Sequence, residues 1–186
     1  PAERRQVLLM LGDSITQGMD ARHPANTYAA VAARLLDMEM HNYGIGGAVF
    51  ARESLPEPPT PDPSLITVAY GVNDFTHGQP PERARDYLEQ VRRLYPRTRI
   101  VVLAPLWCAR GDGSGWINSL GLSMSAYRRA VRQAAEELSL HWVDSEWLLS
   151  PGPALLVDGT HPSPAGHLTM GINVARRLKP LLSTGA

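Results

Sequence analysis

The 186-residue sequence predicts a three-layer α/β fold, a parallel sheet between two layers of helices, and three observations carry that prediction. Short apolar runs, partly β-branched, recur at residues 7–11, 65–69, 100–104 and, less cleanly, 140–143, with a shorter candidate at 38–43. They are nearly continuous in hydrophobicity, as strands covered on both faces are, instead of alternating in and out. Segments of helical period lie between most of them, so the chain reads as a repeated βα unit closed by a last helix.

Taken in order, "VLLML" at 7–11 forms the first strand and runs into Gly12, Asp13 and Ser14. Tyr28, Val31, Ala32 and Leu35 share a helical face, followed by the strand at 38–43. The stretch "ARESLPEPPTPDPSL" is too rich in proline to continue a helix or an inner strand and is an extended connection to the strand at 65–69. Ala84, Tyr87, Leu88, Val91 and Leu94 mark a second helix, which leads into the strand at 100–104. "WCARGDGSGWINS", with three glycines, reads as a loop over the sheet edge. Tyr127, Ala130, Val131, Ala134 and Leu138 precede the last strand, and Leu168, Ile172, Ala175 and Leu178 form the final helix. One domain spans residues 1–186, a length that supports a substantial core.

Eighteen basic residues balance eighteen acidic ones and form no basic block, which argues against nucleic acid or an anionic membrane surface as partner. The apolar runs are far shorter than a membrane span requires, so no membrane insertion is expected. Cys108 is the sole cysteine and cannot form an intramolecular disulfide. The location expected is cytoplasmic if Pro1 begins the protein and secreted if a leader was removed. Nothing in the sequence sets the oligomeric state.

Ligands of open parallel sheets bind at the carboxyl ends of the strands. There the chain delivers Gly12-Asp13-Ser14, Asn42 to Gly47, Gly71-Val72-Asn73-Asp74, Pro105 and Trp107, and, after the fifth strand, Asp158-Gly159-Thr160-His161. Serine, histidine and aspartate are the parts of a charge-oriented nucleophile. The Asn73 amide and a glycine N–H are suited to an oxyanion. The chemistry such a set performs is acyl transfer.

"GDSIT" at 12–16, "NYGIGGA" at 42–48, "GVND" at 71–74 and "DGTHPS" at 158–163 resemble, in order, the four blocks of the SGNH, or GDSL-type, esterase and lipase family. The resemblance spans nearly the whole chain. It implies a flavodoxin-like five-stranded sheet in the order 2-1-3-4-5, consistent with the absence of a G-x-S-x-G elbow. By position it implies Ser14 as nucleophile and oxyanion donor through its own N–H, His161 as general base and then acid, and Asp158 as its orienting partner. Gly47 N–H and the Asn73 amide would complete the oxyanion hole. Gly46 competes with Gly47 for that role, and Ala48 stands where many relatives carry a polar residue.

Each assignment has a plainer alternative. Ser14 and Asp13 are suited to capping a helix, Asn73 to holding a turn, and Asp74 to shaping its loop; Asp13 and Asp74 are taken as supporting residues. Trp107 and Trp116 are candidates for lining the substrate pocket, against ordinary packing, and Cys108 reads as an inert small side chain. Asp20 with His23, and Asp74 with His77, repeat the Asp-x-x-His spacing, so spacing alone does not choose Asp158 and His161. No metal or other cofactor is implied, since no HExxH, CxxC or dense His/Cys run occurs. The expected function is a serine esterase acting on a small carboxylic ester, a short acyl group such as the acetyl of an O-acetylated carbohydrate. The alternatives are a lysophospholipase or thioesterase, an acyltransferase, and, from another class, a non-catalytic binder of esterified glycans.

Overall fold

The computed structural model describes residues 5–57, 59–60, 62–108, 116–150 and 152–182. Its centre is a five-stranded, all-parallel sheet built from β1 (Val7–Gly12), β2 (Glu39–Gly44), β3 (Leu65–Ala69), β4 (Arg99–Leu103) and β5 (His141–Val143), in the order β2-β1-β3-β4-β5. Seven helices accompany it among the described residues: α1 (Ser14–Gln17), α2 (Tyr28–Leu35), α3 (Val72–Thr76), α4 (Glu82–Leu94), α5 (Met124–Glu137), α6 (Ser145–Leu148) and α7 (Pro164–Leu182).

The unbroken hydrophobicity of the inner strands follows from the two cores they serve. Leu8 and Met10 of β1 point into one cluster with Ala29, Ala32, Val174 and Leu178, beneath α2 and α7. Leu9 and Leu11 point the opposite way, against Tyr87, Leu88, Tyr127 and Val131 of α4 and α5. Successive strand residues face opposite sides, so a strand between two helical layers is apolar at nearly every position, with Thr67 of β3 a buried exception. Each such side chain, fully buried, stabilises the fold by about 1.5–3 kcal/mol relative to exposure.

β2 departs from the expectation of strands covered on both faces. It pairs with β1 alone, its residues are half-buried or exposed, and its sequence "EMHNYG" is mixed accordingly. An edge strand has less apolar cover and carries charge at little cost. Strand limits otherwise shift by a residue or so from the sequence reading. The short helices α3 and α6 were not foreseen, because four or five residues are too few to display a helical period. The described residues of the proline-rich connection are irregular apart from a 3₁₀ turn at Arg52–Ser54, in keeping with the prolines that follow it. The centre of the expected edge loop, residues 109–115, lies outside the described residues.

Helix limits have local causes. The Ser123 side chain caps α5 by accepting the Ala126 N–H at 3.1 Å, and α7 begins on Pro164, whose fixed φ suits a first helical position. α2 and α7 pack together over the face of β1 that carries Leu8 and Met10.

Candidate active site

β1 ends at Gly12, and Asp13 turns the chain into α1 by accepting the Ile15 N–H through Oδ1 at 3.0 Å. Asp13 is thus the cap, and Ser14 is the first helical residue, 7 % exposed, at the carboxyl edge of the sheet. α1 is held against β2 by Asn42: Nδ2 donates to the Thr16 carbonyl at 2.8 Å, and Oδ1 accepts the Gly44 N–H at 2.8 Å. A Cβ on Gly44 would lie 2.1 Å from the Gln17 nitrogen, so only glycine lets strand and helix approach so closely.

The loop before α7 carries the other two members of the set. His161 Nε2 lies 2.8 Å from Ser14 Oγ, and His161 Nδ1 lies 2.8 Å from Asp158 Oδ2. The other Asp158 oxygen accepts the backbone N–H groups of Thr160 and His161 at 2.9 and 2.8 Å, while the Val157 N–H donates to the His161 carbonyl at 2.8 Å. Partial burial would raise the Asp158 carboxyl, but the His161 N–H, the imidazole and the Thr160 N–H outweigh it and hold the pKa down at about 2. Asp158 is therefore ionised at neutral pH. With a carboxylate on Nδ1, the imidazole keeps its proton there and offers the Nε2 lone pair to the serine hydroxyl.

The expected oxyanion donors sit on neighbouring strand ends. Ile45 to Ala48 form a turn closed by the Ala48 N–H donating to the Ile45 carbonyl at 3.0 Å, with Gly47 at φ +78°. A turn with positive φ at its third residue calls for glycine there, which separates Gly47 from Gly46 conformationally. Neither glycine N–H has an acceptor among the described residues. Asn73, in the first turn of α3, donates one amide hydrogen to the Ala48 carbonyl at 3.0 Å, leaving the second for a ligand. The same contact braces α3 against the Gly47 turn.

The remaining candidates take other places. Asp74 is fully buried and accepts the Phe50 N–H at 3.1 Å, joining α3 to the segment after β2; its bond is long-range, where the sequence suggested local loop shaping. Burial raises its carboxyl to about 6 against the pull of that N–H. Of the rival Asp-x-x-His pairs neither assembles. His23 is exposed and caps a 3₁₀ turn by accepting the Ala25 N–H, and His77 is exposed at the end of α3. Trp107 is half-buried against the α2/α7 core, and Trp116 meets Phe75 edge-on with ring centroids 5.0 Å apart. Cys108, buried, places its sulfur 3.2 Å from Thr160 Oγ1, on the turn that carries Asp158 and His161.

Sequence reasoning passed over His167. Buried on α7, it accepts the Tyr28 N–H at Nδ1 (3.2 Å) and donates from Nε2 to the Met19 carbonyl (2.8 Å), tying α7 to α2 and to the segment after α1. Its only sequence signal was a position four residues after Ser163, inside the apolar face of α7.

A family model described as GDSL-like lipase/acylhydrolase matches residues 10–168, a span that contains every residue of this site. The chain belongs to the GDSL-like lipase/acylhydrolase family. Solved structures with the fold of this GDSL-like chain include a salicylyl-acyltransferase from a tetracycline biosynthetic pathway, with TM-score 0.80 and 21 % identity over 99 % of this chain and 57 % of that one. A carbohydrate acetylesterase family member from Sinorhizobium meliloti aligns with TM-score 0.69 and 19 % identity over 95 % and 97 % of the two chains. A carbohydrate esterase family 2 enzyme with a carbohydrate binding domain, from Corynascus thermopiles (Myceliophthora fergusii), aligns with TM-score 0.70 and 20 % identity over 98 % and 68 %. No curated protein matches the sequence.

Proposed function

We propose that this GDSL-like hydrolase is a serine esterase that cleaves a small carboxylic ester through an acyl-enzyme on Ser14. The observation that carries the reading is the row of two 2.8 Å contacts from Ser14 Oγ through the His161 ring to Asp158. Ser14 Oγ attacks the ester carbonyl as His161 Nε2 takes its proton, and the negative charge developing on the carbonyl oxygen is met by N–H groups of Ser14, Gly47 and Asn73. Collapse breaks the bond to the alcohol, which leaves with the proton from His161. Water then attacks the acyl-enzyme by the same proton route and frees the acid and Ser14.

An O-acetylated carbohydrate is the substrate class we favour, in line with the acetylesterase neighbour. Transfer of the acyl group to an alcohol instead of water is the second reading, favoured by the fold shared with the salicylyl-acyltransferase.

A series of p-nitrophenyl esters from acetyl to long acyl tests both. Turnover is expected on the shortest esters, abolished by Ser14→Ala and His161→Ala and kept by His23→Ala and His77→Ala. Undiminished hydrolysis by Ser14→Ala would end the assignment, and an acylated alcohol as main product, with a competing alcohol present, would favour transfer.

A further inference from the structure

Ser14 and His161 meet at 2.8 Å across 147 residues of sequence. Ser14 opens α1 directly after β1, and His161 lies in the loop that leads into α7, so their contact depends on where α7 stands relative to α1. Two long-range hydrogen bonds bear on that placement, and both use the His167 ring, fully buried on α7. The Tyr28 N–H donates to Nδ1 at 3.2 Å, and Nε2 lies 2.8 Å from the Met19 carbonyl. A backbone N–H can only donate and a carbonyl can only accept, so the ring is neutral and carries its proton on Nε2.

These bonds close a ring of contacts around the reacting pair. Met19 accepts from His167 through its carbonyl, and its N–H, with that of Gly18, donates to the Ser14 carbonyl at 2.9 and 3.0 Å. On the other side the His167 N–H donates to the carbonyl of Ser163 at 2.8 Å, two residues after His161. α7 is held to α2 by packing as well, since a Cβ on Gly171 would lie 2.6 Å from that of Val31. Toward α1 it is the hydrogen bond to Met19 that makes the tie. Helix capping does not account for the residue. The Thr27 hydroxyl caps α2 by accepting the Ala30 N–H at 3.1 Å, and any acceptor would serve the Tyr28 N–H, whereas reaching Met19 as well takes a side chain with an acceptor and a donor.

We propose that His167 is a positioning residue of the esterase reaction, a strut whose Nε2–H, acting through Met19, sets the separation between Ser14 Oγ and His161 Nε2. The inference rests on the roles proposed above for Ser14 and His161. Loosening the strut leaves substrate binding in place and lowers the share of molecules in which the proton can pass between the two groups, so its loss falls on kcat.

Steady-state hydrolysis of p-nitrophenyl acetate by three variants, each checked by a thermal melt, tests the strut. His167→Leu removes both bonds. His167→Asn sets an amide near the place of Nδ1, in reach of Tyr28, but is too short for Met19, which the longer His167→Gln reaches. The expected kcat is about tenfold lower in the Leu and Asn variants and within about threefold of wild type in the Gln variant, with KM within about twofold throughout. Should His167→Leu fail to fold, His167→Asn decides, since it keeps the bond to α2. A folded Asn variant with wild-type kcat, a Gln variant as slow as the Asn one, or a loss confined to KM would overturn the proposal. Failure of both the Leu and Asn variants to fold would also overturn it and leave His167 a buried link between helices. An active Ser14→Ala protein would end the esterase reading whatever the His167 series gives, so the two failures are distinguishable.

Discussion

Replacing Asp158 by asparagine changes one atom and should nearly silence the site. The retained Oδ1 still accepts the Thr160 and His161 N–H groups, at 2.9 and 2.8 Å in the native protein, so the loop keeps its shape. The new amide stands where Oδ2 now lies, 2.8 Å from His161 Nδ1, and it brings a donor to that position. Nδ1 must then accept, the ring proton moves to Nε2, and a donor faces Ser14 Oγ where a lone pair is needed. A histidine held in the wrong tautomer is worth about 10⁴ in kcat for another Ser-His-Asp enzyme, or about 5 kcal/mol of barrier at 1.36 kcal/mol per decade. The Asp158 side chain is 44 % exposed, so water at the rim softens the effect and about 10³ to 10⁴ is expected. Steady-state hydrolysis of p-nitrophenyl acetate at pH 8 measures it, with a thermal melt to confirm the loop is intact. A kcat within tenfold of wild type in a folded Asp158→Asn protein would refute the assigned tautomer and with it the general-base role of His161.

Asn73→Ala should lower kcat about a hundredfold or more with little change in KM, because an oxyanion donor acts chiefly in the transition state; a wild-type rate would leave Asn73 only its bond to Ala48. His167 gives a stability test. Burial holds its pKa below the usual 6.5, so the unfolded chain binds this proton more readily than the folded one. Stability present above about 6.5 is lost as pH falls below it, at no more than about 1.4 kcal/mol per pH unit. His167→Gln, which has both a donor and an acceptor to offer Met19 and Tyr28, should flatten that loss in melts from pH 8 to 5, and parallel curves would refute it. The difference between the two proteins is the informative quantity, since Asp13, raised to about 7, has the opposite sign and loses stability as pH rises from about 4 to 7.

Much of this molecule was legible from the chain itself because the signals are local. Leu8 to Leu11 and Ile100 to Leu103 are apolar at every position, and Leu65 to Val68 at all but Thr67, because they lie between two cores, and that continuity shows in one dimension. The helical periods of α4 and α5 record one buried face each. Four short blocks at strand ends, in order, were enough to indicate the family. What spacing could not express is which distant groups meet. Three Asp-x-x-His pairs look alike in the sequence, and the packing of α7 on α2 puts His161, and neither His23 nor His77, beside Ser14. The same long-range placement joins Asp74 to Phe50, Cys108 to Thr160, and His167 to Tyr28 and Met19. The burial that lifts Asp13 and Asp74 toward neutral pH belongs to the folded state alone, because it depends on water being excluded by side chains from several elements at once. Residue identity supplied the reactive groups and the strand and helix periods; tertiary packing chose the partners and set the charge each group carries, since hydrogen bonds and desolvation act over a few ångströms of space without regard to separation along the chain.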